Sequence, residues 1–416
     1  MFIYSILIRL YYLAILGVSF FNPKAKKWIT GRNNWRTKLS ATDFSKQKWV
    51  WFHCSSYGEF QDGKSLMDAF KELHPEIKIL LTFFSPTGFE LKKDYAGASA
   101  VCYLPLDTRQ NAAFFIDTVK PLAAFFIRHD IWPNYVTACA NRKTPTFLVS
   151  FTLNASSSFL KYPLQNFYRK IFTKYSALFV QDANSAKLLS ENGMNENIIG
   201  AGNLRADRVI EASKENRRNE LIEKFVAGNF CCIAGSTETT DTEMFLETFQ
   251  QLQSENIKWI IVPHEINRAE IISAKNSFRE KIVVFSETQQ LNETTKLLWF
   301  DQVGQLANLY RYASLAFIGG GFNHAGIHSI LEPMVYGCAI CFGPNNRQYK
   351  EAQELLSTGG AQIIHNKNEL ADFILRYKND HELLEKVKSE NEKYILQSAG
   401  ATQMIMKYLD DKKYFN

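Results

Sequence analysis

The chain has 416 residues, 46% of them hydrophobic, 22% charged and 14% aromatic, with 21 Gly and 11 Pro. That length predicts two or three domains, and the apolar share excludes a collagen-like or disordered chain. Lys and Arg number 48 against 42 Asp and Glu, and the net +6 is too small and dispersed for a dedicated nucleic-acid binder, though it suits an anionic substrate or a membrane surface.

Met1–Phe21 carries a single charge, Arg9, among Phe, Ile, Leu, Tyr, Val and Ala. As a helix rising ~1.5 Å per residue, about 20 such residues match a bilayer core of ~30 Å. Lys24, Lys26, Lys27, Arg32, Arg36 and Lys38 follow, with no acid before Asp43. A basic flank after an apolar run keeps that side cytoplasmic. The expectation is therefore a membrane-anchor helix, with the remaining chain on the cytoplasmic side. Arg9 splits the run, so a helix lying in the interface is the competing reading. A cleaved export signal fits less well, because the charge does not precede the apolar stretch.

From residue 48 onward, short β-rich runs alternate with helical stretches. Lys48–Cys54, Lys78–Phe84, Val101–Leu104, Ala123–Ile127, Thr146–Phe151 and Ala177–Val180 read as buried strands. After the polar stretch Arg205–Arg218 a second series follows: Phe230–Ala234, Trp259–Val262, Ile282–Phe285, Leu297–Phe300, Leu315–Ile318 and Ala339–Phe342. Strands alternating with helices imply parallel sheets covered on both faces, here twice. Charged helices, Asn368–Tyr377 and His381–Leu396, come near the end. The architecture predicted is α/β, two doubly wound domains facing a cleft. The seven cysteines are odd in number and lie mostly in apolar runs, which points to a reducing compartment. Cys338 and Cys341 have no second pair and read as buried thiols.

Chemistry gathers at strand ends. His53-Cys54-Ser55-Ser56-Tyr57-Gly58-Glu59-Phe60 follows the first strand and opens a helix. Glu59 then sits in the first helical turn, either as a capping acid or as a base at the carboxyl end of a strand. Gly319-Gly320-Gly321 follows another strand and precedes His328, Ser329 and Leu331-Glu332-Pro333. Such a run is a tight turn or a cradle for phosphate, and the Glu that follows suits a ribose. Gly235-Ser236-Thr237 ends the first strand of the second series and is a further phosphate-loop candidate. Asp130-Ile131-Trp132-Pro133-Asn134 turns after a strand of the first series, with Trp132 read as core. No Rossmann fingerprint, Walker lysine, HExxH, paired CxxC or DxD pair is present, so a dehydrogenase, a P-loop enzyme and a metal site lack support.

Taken in order, these segments resemble the bacterial 3-deoxy-D-manno-octulosonic acid (Kdo) transferases of lipopolysaccharide biosynthesis, of glycosyltransferase family 30 type. The resemblance rests on His53–Phe60, Gly31-Arg32 with Trp35, Ile131–Asn134, Gly202-Asn203-Leu204 with Asp207, Ala234–Thr237, Ile261–Pro263, Gly326–Pro333 and Phe342–Pro344. It implies a GT-B fold: an anchor at 1–22, an acceptor domain at 23–205 and a CMP-sugar-binding domain at 206–416. It further implies metal-free, cofactor-free, inverting transfer of Kdo from CMP-Kdo to the lipid A precursor, lipid IVA. By position Glu59 matches the catalytic base, with Ser56, Gly58 and Asp130 on the acceptor side. The CMP contacts would be Pro263, His264, Val303, Gly304, Gln305, Ser329, Ile330, Leu331 and Glu332. The chain departs from the family where His264 replaces Arg, Ser329 replaces Asn, Ile330 replaces Pro, and Arg128 stands in place of a carboxylate. The alternatives are a GT-B transferase using a UDP-sugar and a lipid-linked acceptor, and an inactive membrane-tethered nucleotide-sugar binder.

Overall fold

The structure is a computed structural model that describes residues 2–215, 218–278, 281–288, 290–291 and 295–415. It divides into two compact units, Met1–Arg208 with Ala399–Asn416, and Val209–Ser398. In the first unit β1 (Trp49–Cys54), β2 (Lys78–Phe83), β3 (Ala100–Tyr103), β4 (Ala124–Ile127), β5 (Thr146–Phe151), β6 (Ala177–Val180) and β7 (Ile198–Gly200) form one sheet in the order β3-β2-β1-β4-β5-β6-β7. The second unit holds β8 (Phe230–Thr237), β9 (Ile257–Pro263), β10 (Ile282–Val284), β11 (Leu297–Trp299), β12 (Leu315–Ile318), β13 (Ala339–Phe342) and β14 (Ala361–Ile363), ordered β10-β11-β9-β8-β12-β13-β14. The pairs within both sheets are parallel. Two parallel α/β units are what the alternating pattern predicts. β7 and β14 were not expected; both are three-residue edge strands without a fully buried run, too short to carry a periodic signal.

The continuous apolar runs follow from burial on both faces. Along β1, Trp49 and Trp51 enter one layer with Leu80 and Phe126, whereas Val50, Phe52 and Cys54 enter the other with Phe125 and Phe147. Successive strand side chains point to opposite faces, so both faces must be apolar when helices cover each. All seven cysteines are free, and Cys338 and Cys341 are buried, as the lack of a second pair implied.

Two expectations need correction. The last segment, read as part of 206–416, returns to the first unit. Asp207 accepts the Gly400 and Thr402 N–H groups at 2.6 Å each, capping the helix Ala401–Asp411. Ile405, Met406 and Leu409 of that helix then join the layer of Val50 and Phe52. An amphipathic pattern does not say which sheet will cover it.

The membrane-anchor helix is the second correction. Among the described residues no helix is long and apolar enough to cross a membrane. Phe2–Val18 is a 17-residue helix docked along one side of the first unit. Tyr4 donates to Asp107 Oδ2 at 2.6 Å, and Tyr11 stacks near Phe84 and meets Trp28 edge-on. Ile3, Leu7, Leu10 and Leu13 are exposed. Arg32, expected among lipid head groups, is instead buried. It donates to the carbonyls of Leu104, Trp28 and Phe84 and lies 3.9 Å over the Trp28 ring, and burial pulls it down to about 9. Lys24, Lys26, Lys27, Arg36 and Lys38 remain exposed.

Candidate active site

In an open parallel sheet, ligands bind outside the carboxyl ends of the strands where the strand order reverses. In the first unit that point lies between β1 and β4, the strands that lead into Ser55–Glu59 and Arg128–Asp130. The N-cap Ser56 is extended, with φ −131°, and starts the helix Tyr57–Leu73. Glu59 Oε2 accepts the Ser56 N–H at 2.6 Å and the Ser56 hydroxyl at 2.8 Å, closing a capping box. The capping reading of Glu59 is therefore met. Both bonds fall on Oε2, and among the described residues Oε1 takes none. Burial raises the Glu59 carboxyl, opposed by the Ser56 bonds and by the Arg128 charge. Gly58 is exposed beside it.

Asp130 is buried, accepting the Ser55 N–H at 2.6 Å and the Ser55 hydroxyl. Burial, then the neighbouring Glu59 charge, pushes its carboxyl well up. His53 Nε2 lies 3.7 Å from Asp130 Oδ2, and His53 Nδ1 meets the Thr82 hydroxyl at 2.8 Å. Full burial drives His53 down to about 3, so its imidazole is neutral. Trp132 packs edge-on against it at 5.7 Å and so serves the core.

Sequence reasoning missed Asp62. It lies one turn beyond Glu59, fully buried, with Arg205 Nε at 2.8 Å and Arg128 Nε at 3.2 Å, in ion-pair range without hydrogen-bond alignment. Burial raises its carboxyl, against the pull of Arg205, Arg128 and Arg208. Arg128, at φ +61°, is thus the partner of an acid three residues past the candidate base. The i, i+3 spacing of Glu59 and Asp62 was visible. That the second acid is interior is a tertiary fact.

The second unit reverses its strand order between β8 and β12. Because its strands are parallel, Gly235–Thr237, Pro263-His264, Val303–Gln305 and Gly319–Gly321 all lie at or beyond the carboxyl ends of neighbouring strands. The glycines are required by packing. A Cβ on Gly319 would lie 2.2 Å from the Ser236 carbonyl oxygen, and one on Gly321 would lie 2.5 Å from the Gly343 nitrogen. Gly320, at φ +87°, donates its N–H to Asp241 Oδ2 at 2.7 Å. This part of the loop thus spends its close approach on the protein's own backbone. Ser236, at φ +53°, sits in the bulge between β8 and β9.

The His264 N–H donates to the Thr237 carbonyl at 2.9 Å and the His328 N–H to the Gly319 carbonyl at 3.1 Å. The two rings stand 4.5 Å apart. Burial and His264 lower His328, against Glu238 and Glu332. Ser329 is exposed and Glu332 half-buried, but Ile330 and Leu331 turn into the core, which leaves only their backbone groups for a ligand. Val303, Gly304 and Gln305 form an exposed turn before Leu306–Leu309. No local motif announces a metal, yet Glu238, His264 and His328 bring their ligating atoms within 4.8 Å of one another. Three separate loops supply them, so no sequence spacing reveals the group.

A family signature described as "3-Deoxy-D-manno-octulosonic-acid transferase (kdotransferase)" matches residues 33–208, the stretch that holds Glu59, Asp62 and Asp130. A "3-deoxy-D-manno-octulosonic acid transferase" of Haemophilus influenzae is 24% identical over 369 residues, covering 86% of each chain. Over residues 33–208 this chain carries the Kdo transferase signature. A "Bifunctional glycosyltransferase/methyltransferase" of Fusobacterium nucleatum is 24% identical over 95% of this chain, which spans 63% of that longer protein. Among solved structures, a UDP-GlcNAc 2-epimerase from Neisseria meningitidis bound to UDP-GlcNAc aligns with TM-score 0.61 at 14% identity, covering 88% of this chain and all of that one. At that identity the likeness describes the fold alone, which is of the GT-B kind. The Kdo transferase motifs at Ile131–Asn134 and at Asp207 have structural uses here: Asn134 N–H donates to Asp107, and Asp207 caps the last helix.

Proposed function

We propose that the chain transfers Kdo from CMP-Kdo to a phosphorylated lipid A precursor, lipid IVA, with inversion at the anomeric carbon. The observation that carries this reading is Glu59: a half-buried carboxylate with a raised pKa, at the strand reversal of the segment matched by the family signature. Its Oε1 would take the proton of the attacking glucosamine hydroxyl as that oxygen bonds to the anomeric carbon. The carbon–oxygen bond to CMP breaks, and CMP leaves with the electron pair. Asp130 is the more deeply buried acid and holds its proton more readily, which leaves Glu59 to ionise. Nothing in this proton step calls for a metal ion. In the second unit, Pro263, His264, Ser329 and Glu332 would hold CMP, with Glu332 on the ribose hydroxyls. The test is incubation with CMP-Kdo and a tetra-acylated, bisphosphorylated lipid A precursor, read by product mass. Release of UDP from a UDP-sugar, with no Kdo product, overturns the assignment.

The same reading puts the enzyme at the cytoplasmic face of the inner membrane. The outward side of Phe2–Val18 would lie in the head-group region, flanked by Lys24, Lys26, Lys27, Arg36 and Lys38. Each basic residue near an anionic surface contributes ~1 kcal/mol and is screened by salt. Changing Leu7, Leu10 and Leu13 together to Glu is expected to abolish flotation with anionic vesicles. Full flotation of that variant refutes the interfacial placement.

A further inference from the structure

A cavity of about 370 Å³ lies in the first unit, over the sheet edge at β3. Leu39, Phe44, Leu80 and Phe115 line its inner part and belong to the apolar layer of Trp49 and Trp51. Ala100 of β3 packs against the same layer and lines the cavity too. None of Ser55–Glu59 or Arg128–Asp130 lines it, so it is separate from the candidate base. Its volume falls near the low end of the ~300–1,000 Å³ usual for ligand pockets.

Aromatic pairs hold the walls. The Phe89 ring stacks on Tyr103 at 4.1 Å, Trp35 meets Phe114 edge-on at 5.5 Å, and Phe44 meets Trp49 edge-on at 4.9 Å. Gly31 ends the helix Pro23–Gly31, and a Cβ there would lie 2.3 Å from the Tyr103 ring. The walls are thus fixed by the protein's own contacts. The rim differs in character. Lys27 and Lys38 are exposed there, and neither pairs with an acid among the described residues. Glu90, the acid that lines the cavity, is taken by Lys93 at 3.4 Å. An apolar interior below two unneutralised lysines is complementary to an anionic amphiphile, chain inward and head group outward.

We propose that this cavity takes one acyl chain of an anionic membrane lipid, with the lipid phosphate at Lys27 and Lys38. Both lysines belong to the basic flank that the interfacial placement given above sets among head groups. The source of the lipid rests on that placement; the fit of chain and charge does not.

The test is calorimetric titration of the full chain with decyl, dodecyl and tetradecyl phosphate, each below its micellar concentration. Burying a methylene strengthens binding about 4-fold, so each step of two methylenes should tighten it about 15-fold. Affinity independent of chain length overturns the cavity. Dodecanol and inorganic phosphate should each bind about 10-fold more weakly than dodecyl phosphate, or weaker still. Dodecanol binding as tightly overturns the phosphate seat. Lys27→Gln with Lys38→Gln should weaken dodecyl phosphate about 10-fold without moving the melting curve, since both side chains are exposed. Ala100→Phe should block the cavity from the strand, and Thr42→Trp from its half-buried rim should β3 not tolerate the first. Unchanged affinity in either variant that keeps its melting curve overturns the site. The change of Leu7, Leu10 and Leu13 to Glu should leave dodecyl phosphate binding within about 2-fold, whatever it does to flotation. Loss of binding there assigns the ligand to the outward helix face and overturns the cavity. Flotation of the blocked variants with anionic vesicles should fall; flotation equal to that of the unchanged chain refutes the bilayer as the source of the lipid.

Discussion

The carboxylates beside the first strand reversal lie below the surface, whereas the candidate groups beside the second stand at loop ends. Asp62 and Asp130 are buried, and each is met from within the first unit: Arg128 and Arg205 stand in ion-pair range of one, and the Ser55 backbone and hydroxyl hydrogen-bond the other. In the second unit His264 is exposed, Glu238 and His328 are half-buried, and the fixing bonds run between backbone groups and through the Asp241 carboxylate. The difference has a chemical reading. A base needs a shifted proton affinity, which desolvation and neighbouring charges supply. A binder of a charged ligand needs reachable donor atoms on a stiff frame, which glycine turns and strand ends supply.

Four substitutions bear on that contrast. The largest effect is expected from Glu59→Gln, which keeps the cap but removes the basicity. A positioned base contributes about 10²–10⁴-fold, so turnover should fall by that order with CMP affinity unchanged. Near-normal turnover would take the base role away from Glu59 and leave it a cap.

Asp62→Ala comes next, and it probes stability. Removing one member of a buried ion cluster costs about 3–5 kcal/mol, and the lower end applies because both guanidiniums are about one-third exposed. Denaturant unfolding should show the loss in the first unit, with CMP binding intact. A loss within ~0.5 kcal/mol would mean that water already screens the cluster.

Glu332→Ala probes the second unit. If the carboxylate holds ribose hydroxyls, CMP affinity should fall by about 1–3 kcal/mol in calorimetry, with unfolding little changed. Unchanged affinity removes Glu332 from the donor site.

The smallest effect is a shift in a pH profile. The Ser56 hydroxyl stabilises the charged form of Glu59, so Ser56→Ala should raise the Glu59 carboxyl further. A base works only when deprotonated, so the acid limb of kcat/KM should move to higher pH. An unmoved or acid-shifted limb would mean that another group titrates there.

Much of this was legible in the order of residues. Apolar runs of four to eight residues alternating with helical periods specify parallel sheets, because a strand buried on both faces has no polar side to show. Glu59, Asp130 and the Gly-rich turn stood out because strand ends are where a doubly wound fold keeps its ligands. These are local signals, written within a few residues of one another. What the tertiary structure alone decided is non-local. It put Asp62 inside, turned Arg32 from a lipid-facing residue into one buried among three carbonyls, and brought Ala401–Asp411 back to the first unit under Asp207. It gathered Glu238, His264 and His328 from three loops. It also laid Phe2–Val18 along the first unit, through Tyr4 and Tyr11. A side chain's own chemistry limits which partners it accepts. Only the folded path of the chain determines which of them it meets, and whether water is there when it does.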